Sequence, residues 1–143
     1  MKTSNILINQ LKIFEGCKLT AYRDSNRIPT IGIGHTKGVK MGQVITMGQA
    51  ESLCRADLSE MESYVNHLGI TLTQGQFDAL VDFVYNEGIG RLKSSQLLQD
   101  IIHKESKEKI EADFMQFTKA GGKVLQGLVT RRQWEVKRFF ENV

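Results

Sequence analysis

The sequence predicts a mainly helical α+β chain, and three observations carry that prediction. Residues 18–45 are β-like and rich in glycine, with Gly32, Gly34, Gly38 and Gly42. Two Thr-x-x-Gln motifs, at Thr46 and Thr73, each stand directly before an apolar run and have the form of a helix capping box. Beyond them the apolar residues recur at helical spacing rather than in alternation. The expected architecture is a small β-hairpin lobe and a larger helical lobe, joined by a long helix, with a cleft between the lobes.

Each element follows from local signals. Ile6, Leu7, Leu11 and Phe14 lie at helical spacing, so residues 3–15 form an amphipathic helix, capped by Thr3 or Ser4 and stopped by Gly16. Leu19 to Tyr22 is extended, Asp24-Ser25-Asn26-Arg27 has turn chemistry, and Thr30 to Ile33 is extended again, which makes a hairpin. The small lobe is then residues 16–45. Thr46 opens the inter-lobe helix, 46–67, whose apolar face is Ala50, Leu53, Cys54, Leu58, Met61 and Val65. Thr73 opens a strongly apolar helix over 74–87, the expected centre of the helical lobe. Further helices are expected at 94–103 and 106–118, the second ended by Ala120-Gly121-Gly122, with a C-terminal helix over 128–141. The helical lobe is residues 68–143 together with the helix of 3–15, and residues 1–143 form one domain.

Composition narrows the function classes. A chain of 143 residues with 41% hydrophobic and 24% charged residues is long enough to bury a core. Its net charge of +3 is too small to argue for a nucleic-acid partner. Cys17 and Cys54 lack CxxC or Cys/His spacing and read as reduced, packed thiols. The three histidines are scattered and form no HExxH motif, so neither a metal nor a cofactor is expected. No apolar run approaches the ~18 residues of a membrane span. The first residues are too short and too polar a stretch for a secretory signal, so the chain is expected in the cytoplasm. No pattern marks an interface, and a monomer is expected.

The candidate chemistry lies in the first third of the chain. Glu15 closes a helix, and a hairpin folding back toward that helix end sets Asp24 and Thr30 opposite it. Hydrolysis of a glycoside requires a proton for the leaving oxygen and a carboxylate that activates water. Glu15 is the candidate acid and Asp24 the candidate base. On its own, a Glu…Asp pair more often marks a surface salt bridge.

Glu15-x8-Asp24-x5-Thr30 resembles the catalytic signature of the phage-type lysozymes, the endolysins of glycoside hydrolase family 24. Phe14-Glu15-Gly16, Ala21-Tyr22-Arg23-Asp24 and Thr30-Ile31-Gly32-Ile33-Gly34-His35-Thr36 extend the match. Further blocks follow at Ala50–Leu53 with Asp57-Leu58, at Gln76–Leu80 with Asn86 and Gly88, and at Ala120–Val129 with Arg131-Arg132. The resemblance covers nearly the whole chain.

It implies a lysozyme-like fold and an N-acetylmuramidase that cleaves the β-1,4 bond between N-acetylmuramic acid and N-acetylglucosamine with inversion, Asp24 and Thr30 holding the attacking water. It also implies a pairing of His35 with Asp57, sugar binding by Tyr85, Asn86 and Ser95, and an arginine reaching Glu15. Arg131 is favoured for that last role, with Arg132 left open. The partner is bacterial peptidoglycan, and a chain stored in the host cytoplasm would act on the wall after release, once a holin gives access. The family usually has glycine at the position of Arg27, which implies a positive φ there; Asn26 is expected to carry it instead. The alternatives are a lytic transglycosylase, which needs no positioned water, and an inactive wall-binding module. A helix-turn-helix DNA-binding protein has only the basic C-terminal helix in its favour.

Overall fold

The structure, a computed structural model, describes residues 1–142. The chain divides into two compact units: Thr3–Glu60, and Met61 onward with Met1–Lys2. This differs from the expected lobes, since the helix of 3–15 groups with the hairpin and the division falls inside the long helix rather than near residue 46.

In the first unit, α1 (Asn5–Glu15) is capped by Ser4, whose side chain accepts a hydrogen bond from the Leu7 amide. Strands β1 (Lys18–Arg23) and β2 (Pro29–Gly32) pair antiparallel, with Tyr22 opposite Thr30 and an irregularity between Lys18 and Tyr22. Helix α2 (Met47–Asn66) begins at the first capping box: the Gln49 amide donates to Thr46 Oγ1 at 3.1 Å, and the Thr46 amide donates to Gln49 Oε1 at 2.8 Å. Ala21, Ile31, Ile45 and Ala50 are buried together, with Cys17, Leu19, Val39 and Leu53 packed against them. Polar contacts tie α1 to the first half of α2. Lys12 Nζ lies 2.7 Å from Glu51 Oε1, and Arg55 donates to the Thr3 carbonyl and to Asn5 Oδ1. These contacts are why α1 belongs with the hairpin.

The second unit is built on α3 (Gln74–Glu87), which opens with the second capping box at Thr73 and Gln76. It continues through α4 (Ile89–Lys93), α5 (Gln96–Ile102), α6 (Lys107–Phe114), β3 (Lys119–Ala120), β4 (Lys123–Val124) and α7 (Gln126–Phe139). Helix α3 buries Phe77, Ala79, Leu80, Val81, Phe83 and Val84, and α7 lies against it. Phe83, Phe114, Phe117 and Phe139 meet edge to face, with ring centroids 4.9 to 6.0 Å apart. The helix expected over 106–118 stops at Phe114, and residues 119–124 form a two-rung hairpin instead. Its turn is Gly121-Gly122, with φ of 59° and 78°, the left-handed pair that a tight hairpin turn requires.

Two buried ion pairs bind α3 to α7. Asp78 and Asp82, one helical turn apart on α3, meet Arg138 and Arg131 of α7 at 2.8 and 2.7 Å. The pairs run in opposite chain directions, as antiparallel helices demand. At the Asp78 end the backbones approach so closely that a Cβ on Gly75 would overlap the Arg138 carbonyl oxygen. Cys17 and Cys54 are free thiols; Cys54 is buried, and burial pushes its thiol up to about 12.

Candidate active site

Glu15 is the last residue of α1 and is half-buried. The chain leaves the helix through Gly16, whose φ of 78° turns it directly into β1. This places the Glu15 carboxyl at a helix end beside the hairpin, within the same unit as Asp24 and Thr30.

Asp24 organises the hairpin turn through its backbone and its side chain together. Its amide donates to the Ile28 carbonyl at 3.0 Å, and its carbonyl accepts from the Arg27 amide at 2.9 Å. Its Oδ1 accepts two more hydrogen bonds, from the amides of Asn26 at 2.8 Å and Ile28 at 2.9 Å. A three-residue loop closed in this way has a left-handed last position, and Arg27 occupies it with φ of 62°. Asn26 was expected to carry the positive φ; Arg27 carries it, because the hydrogen-bond pattern and not the residue's own preference fixes which position is left-handed. Arg23 donates to the Arg27 carbonyl at 3.3 Å and adds to the closure. Thr30 is buried on β2, and its hydroxyl donates to the Ile28 carbonyl at 2.9 Å, which leaves the oxygen's lone pairs as acceptors.

Tyr22 connects the two carboxylates. It stands opposite Thr30 in the ladder, and its phenol is held above its ordinary value by burial, then by the charges of Asp24 and Glu15. The Lys18 ammonium lies over the Tyr22 ring, 4.3 Å from its centre. Among the described residues no group of three or more His, Cys, Asp and Glu is placed to hold a metal ion.

His35 Nδ1 lies 3.0 and 2.8 Å from the two carboxylate oxygens of Asp57. The contact ties the end of the hairpin to α2, since Ile31 and His35 also exchange backbone hydrogen bonds of 2.9 and 3.0 Å.

The remaining candidates belong to the second unit. Tyr85 and Asn86 are half-buried at the end of α3, and the Arg131 guanidinium lies 5.8 Å from the centre of the Tyr85 ring. Ser95 is buried and caps α5: its hydroxyl donates to the Leu92 carbonyl at 2.7 Å and accepts from the Leu98 amide at 3.0 Å. Arg131 makes a two-point pair with Asp82, at 3.1 Å to Oδ2 and 2.7 Å to Oδ1. Arg132 is wholly buried, and it donates to Glu87 at 2.7 Å, to Asn86 Oδ1 at 2.7 Å and to Glu135 Oε2 at 2.9 Å. Asp82, Glu87 and Glu135 escaped the sequence reading. Asp and Glu are rarely buried, and their partners lie far along the chain, so no local pattern marks them.

Among the described residues, seven helices with a short antiparallel hairpin after the first define a lysozyme-like fold, with a glutamate at the helix end and an aspartate at the hairpin turn. The sequence model of the family described as phage lysozyme matches residues 12–135, and the chain belongs to that family. An endolysin of Bacillus phage PZA is 43% identical over 97% of this chain and 55% of its own length. The chain therefore spans about half the length of that relative, and likewise of an endolysin of Bacillus phage B103, where it covers 52%. An endolysin of Escherichia coli O157:H7 phage FAHEc1 superposes with a TM-score of 0.90 at 34% identity, over 100% of this chain and 96% of that one. The muramidase domain of SpmX from Asticaccaulis excentricus gives a TM-score of 0.85 at 32% identity, over 97% of each chain.

Proposed function

We propose that this chain is an N-acetylmuramidase that hydrolyses the β-1,4 bond between N-acetylmuramic acid and N-acetylglucosamine in peptidoglycan, with inversion. The observation that carries the reading is the turn at Asp24. Its Oδ1 is committed to two backbone amides, which fixes the carboxylate and leaves Oδ2 as the atom available to chemistry. Membership of the phage lysozyme family and the likeness to a muramidase domain support it.

In this mechanism a water donates one hydrogen to Asp24 Oδ2 and the other to Thr30 Oγ1. As its oxygen bonds to the anomeric carbon, the bond to the leaving oxygen breaks, and that oxygen takes the Glu15 proton. The water's own proton passes to Asp24, so the two carboxyls end with their protonation exchanged. Thr30 suits the part because its proton is already given to Ile28, so toward water it acts as an acceptor. Tyr85 and Asn86 serve as sugar contacts. Ser95 was proposed beside them from the family; its hydroxyl is engaged in the α5 cap, which makes its contribution the shape of the chain at that point. Arg131 is the favoured supporting arginine on the family resemblance.

In this reading the protein is held in the host cytoplasm as a monomer and meets the wall once a holin opens the membrane. Among the described residues no helix is long and apolar enough to cross a membrane.

The test is mass spectrometry of soluble fragments released from purified peptidoglycan by the wild type, Glu15→Gln and Asp24→Asn. Reducing muramic ends that disappear in both variants support the reading. Anhydromuramic ends would make the protein a lytic transglycosylase, and no fragments from a folded wild type would leave a wall-binding module.

A further inference from the structure

The end of α3 and the middle of α7 enclose three carboxylates and two guanidiniums: Asp82, Glu87 and Glu135 with Arg131 and Arg132. Arg91 lies 3.0 Å from Glu87 Oε2 and brings the guanidiniums to three. Glu135 and Asp82 are both fully enclosed, and burial, then the neighbouring Asp82 carboxylate, holds the Glu135 carboxyl well above the usual range. Arg132 meets both of its oxygens: the Arg132 Nε lies 2.8 Å from Oε1, and the Arg132 NH2 donates to Oε2 at 2.9 Å.

Arg132 is held on every side. Its guanidinium lies 5.1 Å from the centre of the Phe83 ring, and its NH1 donates to Glu87 Oε1 at 2.7 Å. Its NH2 is shared between Glu135 Oε2 and Asn86 Oδ1. A guanidinium can only donate, so the Asn86 oxygen must face it. The Asn86 Nδ2 hydrogens are therefore turned away from the enclosed arginine, on a residue that is itself half-exposed.

We propose that Glu135 is a positioning residue: through Arg132 it fixes the orientation of the Asn86 amide, so that Asn86 offers N–H donors, and no acceptor, to an sp² oxygen of the glycan. The two sources of such an oxygen are the acetamido carbonyl and the lactyl carbonyl, the latter a carboxylate where no stem peptide is attached. The ligand rests on the muramidase reading above; the positioning rests on the buried contacts alone.

Two readouts test it. The first is the Asn86 side-chain amide signal in ¹⁵N–¹H spectra. Glu135→Ala shifts or broadens that pair of signals, and Glu135→Gln, which keeps a carbonyl oxygen to accept from Arg132, restores them. Unchanged signals in a folded Glu135→Ala protein overturn the proposal, and this readout holds whether or not the wild type cleaves peptidoglycan. The second is KM and kcat on soluble, uncross-linked glycan strands. Asn86→Asp keeps an acceptor for Arg132 but removes the outward donors, and raises KM about tenfold with little change in kcat, the scale of one hydrogen bond lost to an unpaired acceptor.

Glu135→Ala raises KM similarly, and adds nothing further when Asn86 is already alanine, because residues that act through one another are not additive. Should Glu135→Ala not fold, Asn86→Asp and Glu135→Gln still decide: a wild-type KM in Asn86→Asp, or a KM in Glu135→Gln as high as in Asn86→Asp, overturns the proposal. Binding of chitotetraose, which has acetamido groups and no lactyl group, distinguishes the two oxygens: loss of its affinity in Asn86→Asp assigns the acetamido carbonyl, and retention with the KM effect assigns the lactyl carbonyl. A wild type that releases no reducing ends removes the muramidase reading and leaves the amide signals to judge the positioning.

Discussion

The amide of Arg27 donates to the carbonyl of Asp24 at 2.9 Å, and Arg27 itself stands at φ of 62°. The same turn that immobilises the Asp24 carboxylate thus forces a bulky residue into a left-handed conformation, at a cost of roughly 1–2 kcal/mol relative to glycine. Glycine loses part of that advantage through its freedom in the unfolded chain, roughly 0.5–1 kcal/mol. Arg27→Gly is therefore expected to stabilise the protein by about 0.5–1 kcal/mol in denaturant titrations, the difference of those two effects. A loss of stability would mean that the Arg27 side chain makes up for its backbone strain.

Tyr22 offers a direct test of where the acids point. Both Asp24 and Glu15 raise its phenol, after burial, so either Glu15→Gln or Asp24→Asn lowers the Tyr22 titration midpoint, with Asp24→Asn the larger effect. Ultraviolet or NMR titration against a Tyr22→Phe control reads the shift. A midpoint indifferent to both substitutions would separate Tyr22 from the acids.

Asp100 and Asp113 pair across α5 and α6, where Gln96 donates to Asp100 Oδ1 at 2.8 Å and Lys109 Nζ lies 3.7 Å away. Burial, then the Asp100 carboxyl, pushes Asp113 up to about 6. An aspartate in the unfolded chain titrates near about 4. Between those values the unfolded state has released its proton and the folded state has not. Stability contributed by this group is therefore full below about pH 4 and is lost as pH rises through about 6. Asp113→Asn supplies a permanent donor in its place, and is expected to stabilise by about 1–2 kcal/mol at pH 7, allowing for solvent screening, with the gain vanishing near pH 4. Paired melts across pH 4–8 measure it; a gain that does not vary with pH would contradict the assignment.

The closest approach of α3 to α7 makes Gly75 a sensitive position. Alanine favours a helix over glycine by about 1 kcal/mol, yet its Cβ would overlap the Arg138 carbonyl and push the backbones apart. The overlap dominates: Gly75→Ala is expected to destabilise by about 1–3 kcal/mol. Gly127→Ala, in α7 with open space around the new methyl, is the control and is expected to stabilise slightly. Denaturant midpoints of the two variants moving in the same direction would contradict the helix contact.

What could be read from the sequence was whatever local chemistry determines. The two capping boxes marked α2 and α3 correctly because Thr46–Gln49 and Thr73–Gln76 satisfy each other's backbone within one turn. Spacing singles out Glu15, Asp24 and Thr30 as the proposed catalytic set, and the contact of His35 with Asp57, implied by resemblance, is present in the structure. The hairpin at 119–124 was absorbed into a helix end, although the Gly121-Gly122 pair carried a turn signal. The ion pairs Asp78–Arg138 and Asp82–Arg131 could not be read, since each joins residues nearly 50 or more positions apart, in helices whose facing sides only the fold decides. The same distance in sequence hid the contacts of Arg132 with Asn86 and Glu87.

The central claim is that Asp24 Oδ2 and Thr30 hold a water that attacks the anomeric carbon from the face opposite the leaving group. The most direct measurement is proton NMR of the first product released from soluble glycan strands in ¹⁸O-labelled water, followed before mutarotation. The account predicts an α-anomer at the new reducing end, with ¹⁸O on its anomeric carbon, and no such product from Asp24→Asn. A β-anomer formed first, or an anhydro end without the label, would contradict it.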